Sequence, residues 1–510
     1  MSQIRKQSLI SSLLVYVGFF VGFLNTYLFT REGSGFSQSD YGLVGIFVAI
    51  ATVMFSFANL GMQAYIFKFF PYYNDNLNRR ENDQLTWALF ISLIGFALVT
   101  LGGFVFKDLV IAKFGTNSPG LVKYYTWLFP FGLGLSIFSV LEVYTWQLKK
   151  SVLSNFLREI LFRCTTTFLI VLVSWGLLNS FTTFIILYSF SYLFVALVLF
   201  AYLLFTKKVS ITFRISKVTR KFSRKIVTLA TLVYGGGLVM SISQVFDSII
   251  IAALLPDGLA LAGIYTLAQN IASLVQAPQR GIISSSISAL SKAWKDKDLP
   301  RISRIYRSSS INLLLFAVGM FSLIWLNFTD GIFTFHLKSQ YIDARWIFFY
   351  IGLMRIVDMG SGVNAQIINT STLWRFDFIT GIILLAITLP FNYIMTKHYG
   401  VTGPAIANLI SFTIYNTIRY VFLLKKFGMQ PFNVKSVYTI ALGIVAYYAA
   451  WFLFHDNKGF MAIILRSSLF MAIYASGAIF FKISPDIIPM WKSLQKRLGM
   501  KKGDPLEEIR

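Results

Sequence analysis

Three observations predict an all-α polytopic membrane protein: fourteen apolar stretches of bilayer-crossing length, an excess of Lys and Arg in every second gap between them, and the near absence of hydrophilic segments. A bilayer core of about 30 Å needs roughly 20 apolar residues in helical form. Hydrophobic residues make up 56% of the 510-residue chain and charged ones 13%, which excludes an array of soluble domains. The expected architecture is 14 transmembrane helices, built as two six-helix lobes (1–6 and 7–12) plus helices 13 and 14.

The expected spans, in order, are 8–29, 41–66, 85–106, 121–146, 153–177, 181–206, 226–254, 260–281, 308–328, 345–368, 376–395, 402–424, 435–454 and 459–481. The charged start Met1 to Lys6 leads into an apolar run, Ser8 to Thr30, that is too long for a signal-peptide core and is read as the first span. An even number of spans puts both termini on one side. Counting residues at the span borders (Arg280 and Lys435, Lys123 and Arg345) with the adjoining loops, both termini and the loops after even-numbered spans hold 33 of the 46 Lys and Arg residues, against 8 in the loops after odd-numbered spans. Cationic loops stay on the cytoplasmic side, so both termini are expected there. The expected division is an N-lobe at 1–210, a basic cytoplasmic linker at 211–225, a C-lobe at 226–426, two appended helices within 427–482 and a basic tail at 483–510. The stretch Pro485 to Leu498 of that tail reads either as a basic amphipathic helix on the inner leaflet or as a plain retention signal.

The net charge of +25 would point to nucleic acid in a soluble protein. Here it sits in short loops between apolar helices and reads as a topology and lipid-headgroup signal, with no nucleic-acid partner. The single cysteine, Cys164, excludes an intramolecular disulfide. The longest outer loops, Thr30–Asp40, Lys107–Gly120 and Thr329–Asp343, are too short to build the site of a glycosyltransferase, polymerase or ligase on the outer face.

A repeat is visible in the polar residues. Thr52, Ser56, Asn59 and Gln63 of the second span recur in spacing as Gln269, Ser273, Gln276 and Arg280 of the eighth, at a lag of 217. Gly18, Gly22 and Asn25 of the first span fall against Gly237, Ser241 and Gln244 of the seventh, at a lag of 219. Such spacing marks one helix face. A lipid-facing helix gains nothing from a line of amides and hydroxyls, so these stripes are expected to face a partner helix or a water-filled cavity. Gly235-Gly236-Gly237 in the seventh span and Pro278 in the eighth read either as hinges or as close-packing and local-bend positions.

Charged residues inside spans each need a reason. Arg158, Glu159 and Arg163 lie in the fifth span, and Arg158 is shallow enough to snorkel. Arg355 and Asp358, three apart in the tenth, are placed to neutralise each other. Glu142 and Arg419 are expected to reach water at the cytoplasmic ends, and Arg466 to be structural or at the headgroups. Arg binds phosphate bidentately and stays charged. Arg163, Arg280 and Arg355, with Arg158 behind them, therefore form a candidate cationic chamber for an anionic head group. Gln276, Gln269, Asn59, Gln63, Asn25 and Gln244 are its candidate polar lining. Asp247 is a candidate ion-coupling carboxylate, and structural pairing is the alternative for all the charges.

No phosphate-binding Gly-rich loop with Lys-Ser/Thr occurs, and His336, His398 and His455 are scattered without metal-ligand spacing. No nucleophile elbow or supported carboxylate pair is present. The chain reads as a carrier, not an enzyme, with no cofactor or metal.

Phe246-Asp247-Ser248-Ile249-Ile250-Ile251, then Ala262-Gly263-Ile264-Tyr265-Thr266-Leu267-Ala268, running on through Pro278 to Ser291 and Asp296, resembles the helix seven to eight signature of Wzx-type oligosaccharide-lipid flippases. Asp40-Tyr41-Gly42-Leu43 is the matching N-lobe pattern. These flippases belong to the multidrug/oligosaccharidyl-lipid/polysaccharide exporter superfamily, and the likeness covers nearly the whole chain. The resemblance implies export of a polyprenyl-diphosphate-linked glycan across a bacterial cytoplasmic (inner) membrane. Sugar and diphosphate would pass through a polar cavity lined by helices 1, 2, 7 and 8, with the prenyl tail in membrane lipid. It also admits polysaccharide assembly proteins as partners. A multidrug or cation antiporter and a peptidoglycan-precursor flippase of the same superfamily are the closest rivals, and a non-transporting scaffold a more distant one.

Overall fold

The computed structural model describes residues 3–178 and 180–484, without the side chains of residues 3–13, 15, 232, 233, 236, 237, 239, 240, 244, 284, 288 and 374. The tail stretch Pro485 to Leu498 lies outside the described residues. Helix accounts for the regular structure, and no strand occurs among the described residues.

The helices are α1 (Gln3–Thr30), α2 (Gln38–Ala58), α3 (Met62–Asn76), α4 (Gln84–Val105), α5 (Lys107–Phe114), α6 (Pro119–Lys123) and α7 (Leu128–Gln147). Then come α8 (Ser151–Phe156), a π turn (Leu157–Leu161), α9 (Phe162–Ser174), α10 (Phe181–Ser189), α11 (Ser191–Phe205), α12 (Lys217–Leu254) and α13 (Gly258–Val275). The last are α14 (Gln279–Lys295), α15 (Leu299–Thr334), α16 (Ala344–Gly360), α17 (Asn364–Asn369), α18 (Trp374–Tyr399), α19 (Gly403–Phe427), α20 (Val434–Phe454) and α21 (Gly459–Phe480). Among the described residues nine helical segments are long and apolar enough to cross a bilayer, and Tyr16–Thr30 and Val245–Leu254 are apolar but shorter. The fifth expected span falls on α8, the π turn and α9, and the tenth on α16 and α17, none of these elements longer than 17 residues, so length and apolarity alone do not reproduce the count of fourteen. Arg158, Glu159 and Arg163 lie in the first of these spans, and Arg355 and Asp358 in the second.

The chain divides into two compact units, residues 1–267 with 392–403, and 268–391 with 404–510. The first unit therefore includes residues 226–267, which the sequence assigns to the C-lobe, because α12 packs along α2 and α3. Its core is strongly aromatic: Phe131 stacks on Tyr188, and Phe162 stacks on Tyr192 at 4.1 Å. In the second unit, Leu314 and Val318 of α15 pack against Ala446 and Ala450 of α20 and Phe470 and Tyr474 of α21.

Local sequence explains where helices begin and stop. A reciprocal box at Ser37 and Asp40 starts α2, each side chain accepting the other's backbone amide at 3.1 and 2.8 Å. Two successive left-handed residues, Leu60 (φ 44) and Gly61 (φ 76), end it. Position 61 needs glycine twice over, since a Cβ there would sit 2.7 Å from Ala230 Cα. The second span is thus not one helix but two, α2 and α3, and the eighth is likewise split into α13 and α14 around Gln276–Pro278. Pro278 precedes the first turn of α14, where its missing N–H is harmless, and does not bend a continuous helix. Met62 and Gln279 open their helices 217 residues apart, the lag of the polar repeat. By contrast α12 continues as one helix through Gly235-Gly236-Gly237.

In the first unit, Gly42 and Gly263 bring α2 and α13 close: a Cβ on Gly263 would lie 2.6 Å from Gln38 O. Small residues at a crossing let helix backbones approach where lipid supplies no hydrophobic drive. At the other end of α12, Asp83 Oδ2 accepts from Ser216 N at 2.9 Å and Thr219 Oγ1 at 2.8 Å. Tyr73 meets Thr219 Oγ1 at 2.6 Å, and burial raises its phenol above the ordinary tyrosine value.

Candidate functional site

Gly18 and Gly22 lie four apart on one face of α1, and that face is covered by the π turn and α9. A Cβ at Gly18 would be 2.7 Å from Glu159 Cβ, and Gly22 lies against the Arg163 guanidinium. Arg163 pairs with Glu159 at 2.8 Å and donates to Gly18 O at 2.6 Å. Asn25 Nδ2 donates to Arg163 O at 2.9 Å, and Thr167 Oγ1 donates to Asn25 Oδ1 at 2.5 Å. The Gly18–Gly22–Asn25 stripe is therefore a packing face, with its polar groups satisfied by α9. Its expected counterpart Gln244 lies outside the described side chains.

Arg158 pairs with Glu142 of α7 at 3.0 Å; its side chain is 48% exposed while that of Glu142 is 4% exposed. Glu142 does not reach water as expected. The turn between α7 and α8 folds the fifth span back onto α7, so the carboxylate meets Arg158 before it meets solvent. The first unit thus answers each of the two arginines with a carboxylate.

The second-span stripe is cut by the break at Asn59–Gly61, so Gln63 does not continue the face of Thr52 and Ser56. Thr52 and Ser56 hydroxyls donate to their own helix at Val48 O and Thr52 O, both at 2.7 Å. Gln63 Nε2 reaches Ser139 O of α7 at 3.3 Å, and Asn59 Oδ1 accepts from Gln63 N at 3.3 Å. These amides stitch the break to its surroundings.

Asp247 of α12 is buried, and its two oxygens accept from Tyr265 Oη and Asn392 Nδ2, both at 2.7 Å. Three elements of the first unit, α12, α13 and α18, meet there. An acidic group held by a phenol and an amide inside the membrane can exchange a proton or accept a cation. The sequence signal for Asn392 is a lone amide in the apolar run 379–396, a cue weaker than a charge.

In the second unit the break in the eighth span is anchored by amides. Gln276 Nε2 donates to Gln279 Oε1 at 2.7 Å, and Gln279 Nε2 donates to Asp358 Oδ2 at 2.9 Å. Asn416 Nδ2 donates to Asp358 Oδ1 at 3.2 Å and accepts at Oδ1 from Asn364 Nδ2 at 2.9 Å. Asp358 is thus held by two amides from α14 and α19. Arg280 follows Gln279 directly and is exposed; Arg355, half-buried, lies three residues before Asp358 on α16. The Gln279–Asp358 bond therefore sets these two cations on adjoining elements. Gln269, on α13, is half-buried.

Two further arginines are paired with acids inside the fold. Arg419 is buried, pairs with Asp377 and lies 3.9 Å from the Tyr415 ring, so it does not reach water as expected. Arg466 pairs with Asp330 of α15 and donates to Phe454 O at 3.1 Å and Asn457 O at 2.7 Å. It caps the C-terminal carbonyls of α20 and binds α21 to α15. Asp377 and Asp330 were not singled out in the sequence, since neither has its partner within one helical turn. Among the described residues no group of His, Cys, Asp and Glu is placed to hold a metal ion.

The sequence signature of a family described as "Polysaccharide biosynthesis protein" matches residues 4–294. No curated protein matches the chain in sequence. Its fold is that of the Lipid II flippase MurJ in an inward closed conformation, with a TM-score of 0.72 and 15% identity, over 93% of this chain and 99% of that one. It also resembles an inward-facing multidrug resistance MATE family transporter of the MOP superfamily (TM-score 0.63, 16% identity, 79% of this chain and 93% of that one). A MOP superfamily transporter from Pyrococcus furiosus aligns at a TM-score of 0.56 and 17% identity, over 83% of this chain and 97% of that one. At these identities the likeness carries the fold alone, an all-helical one.

Proposed function

Since the chain belongs to the polysaccharide biosynthesis protein family, we propose that it moves a polyprenyl-diphosphate-linked oligosaccharide across the cytoplasmic membrane by alternating access, for export of a surface polysaccharide. The family supports the glycan. The fold shared with a protein named as a flippase of Lipid II supports a lipid-borne cargo. The activity assigned is transport, not bond chemistry. The basic loops support cytoplasmic termini in a bacterial inner membrane, and polysaccharide assembly proteins are natural partners for such a carrier.

The observation that carries the head-group assignment is the Gln279–Asp358 bond at 2.9 Å. It ties α14 to α16 and so brings Arg280 and Arg355 onto adjoining elements, two cations of the kind that bind a diphosphate. We assign the diphosphate to those two, with Gln276 and Gln269 as polar lining from the same unit. Arg163 and Arg158, neutralised by Glu159 and Glu142, are assigned to holding α1, α7 and α9. Asn25, Asn59 and Gln63 share that holding role.

The test is flipping of a fluorescent polyprenyl-diphosphate glycan in proteoliposomes by the Arg280→Gln/Arg355→Gln protein. Loss of at least about tenfold in rate is expected from removing two charge-assisted phosphate contacts. Unchanged flipping by a folded, inserted double variant overturns the assignment.

Asp247 favours a second element of the mechanism. A buried intramembrane carboxylate that accepts from a phenol, Tyr265, and an amide, Asn392, suits coupling to an ion or proton gradient, a property an antiporter would share.

A further inference from the structure

The chain leaves α11 and runs without helix from Val209 to Ser216 before α12 begins. Three residues tie this linker to the start of α4 and the turn before it. Ser210 Oγ donates to Arg79 O at 2.6 Å, Thr212 N to Thr86 Oγ1 at 3.2 Å and Ser216 N to Asp83 Oδ2 at 2.9 Å. The alternate residues Ile211, Phe213 and Ile215 are exposed. Val209, Ile211 and Phe213 form one wall of an apolar groove of about 160 Å³. Its other wall is Leu85, Leu89 and Leu93 of α4 with Phe200 of α11. Two residues beyond Phe213 a second hollow, of about 400 Å³, is lined by Ile215, Lys217, Arg220 and Lys221. Among the described residues none of these three cations is paired with a carboxylate. Apolar groove and cationic hollow thus adjoin along one short, firmly held segment of the first unit.

We propose that this surface binds one anionic phospholipid of the membrane, its phosphate held by Lys217, Arg220 and Lys221 and part of an acyl chain lying in the groove between α4, α11 and the linker. The charge selects an anion, and the groove selects an anion that carries a chain. A free phosphate would leave Leu85, Leu89, Phe200 and Phe213 around an empty apolar space. The exposed Ile211, Phe213 and Ile215 put the linker at the level where acyl chains meet headgroups, and the basic first turns of α12 follow directly. Bound lipid would hold the linker against α4 from outside as Asp83, Thr86 and Arg79 hold it from inside. The site is independent of the transported cargo.

Binding of phosphatidylglycerol and phosphatidylcholine to the purified full-length protein in detergent, followed by native mass spectrometry, tests this. Each basic residue near an anionic surface is worth roughly fivefold in affinity, so a preference for phosphatidylglycerol of at least about tenfold is expected. It should fall to near parity in Lys217→Gln/Arg220→Gln/Lys221→Gln. Leu89→Trp, which fills the groove, should weaken binding of both lipids while leaving the protein folded. Millimolar inorganic phosphate should not displace the lipid. Retention of the preference in the triple variant overturns the proposal. So does displacement by inorganic phosphate, which would mark a plain anion site, and so does displacement by equimolar polyprenyl phosphate, which would mark a site for the cargo's own tail. If the triple variant does not fold, Lys217→Gln and Lys221→Gln are read singly, each expected to lower the preference about fivefold, and no change in either overturns it.

Discussion

The carboxylate of Asp247 and the amide of Asn392 meet at 2.7 Å although 145 residues separate them along the chain. Tyr265 completes the group from a third helix. Removing the amide by Asn392→Ala leaves a buried carboxylate short of one donor, a loss of about 1–3 kcal/mol. It should appear as a lower melting temperature in detergent. Asp247→Asn keeps the shape and removes the charge. Transport by that variant is expected to lose its dependence on an imposed ion or proton gradient, and a gradient dependence equal to the parent's would remove Asp247 from coupling.

Glu142 and Arg158 form a lopsided pair, one partner buried and the other half in water. Arg158→Gln strands a buried carboxylate, whereas Glu142→Gln releases a guanidinium that can reach solvent. The first should therefore destabilise more, by about 1–3 kcal/mol, and adding Glu142→Gln to it should recover most of the loss. Thermal unfolding of the three proteins reads this directly. Equal losses in both single variants would mean the burial difference does not govern the pair.

Arg466 closes the end of α20 and ties α21 to α15 through Asp330. Arg466→Ala leaves buried carbonyls and a partly buried acid without their donor, and roughly 3 kcal/mol of stability should go with it. Glycan export per folded molecule is expected to stay at the parent level. A specific loss of export with unchanged stability would make Arg466 a functional residue.

Single cysteines at positions 52 to 63 distinguish one long helix from two. Labelling from water should follow a helical period up to Ala58 and lose phase across Asn59–Gly61, with the same change of phase at 276–278 of the eighth span. An unbroken 3.6-residue period through Gln63 would contradict the break.

Much of this was legible in the residues. Helical class, the pairing of the second with the eighth span and the lag of 217 all rest on local, repeated chemistry, namely apolar length and polar spacing. The lag survives in the structure as the separation of Met62 from Gln279, the first residues after the two breaks. The breaks are not legible in the sequence because Leu60 is an ordinary residue in an apolar run, and the close approach of Gly61 to Ala230 of α12 is a tertiary contact. The candidate site was legible only in part: Asp247 was visible as a charge, its partners were not.

Chain order therefore decides what enters the membrane and which loops carry the positive charge, since transfer to lipid is a property of each segment separately. Tertiary structure decides which acid an intramembrane arginine meets. Arg163, Arg158, Arg419 and Arg466 look alike in a sequence, but each meets an acid in the fold, and for three of them that acid comes from another helix or beyond one turn. A charge in a low-dielectric interior is defined by its neighbours within a few ångströms. Those neighbours, such as Asp330 for Arg466 across 136 residues, are chosen by packing.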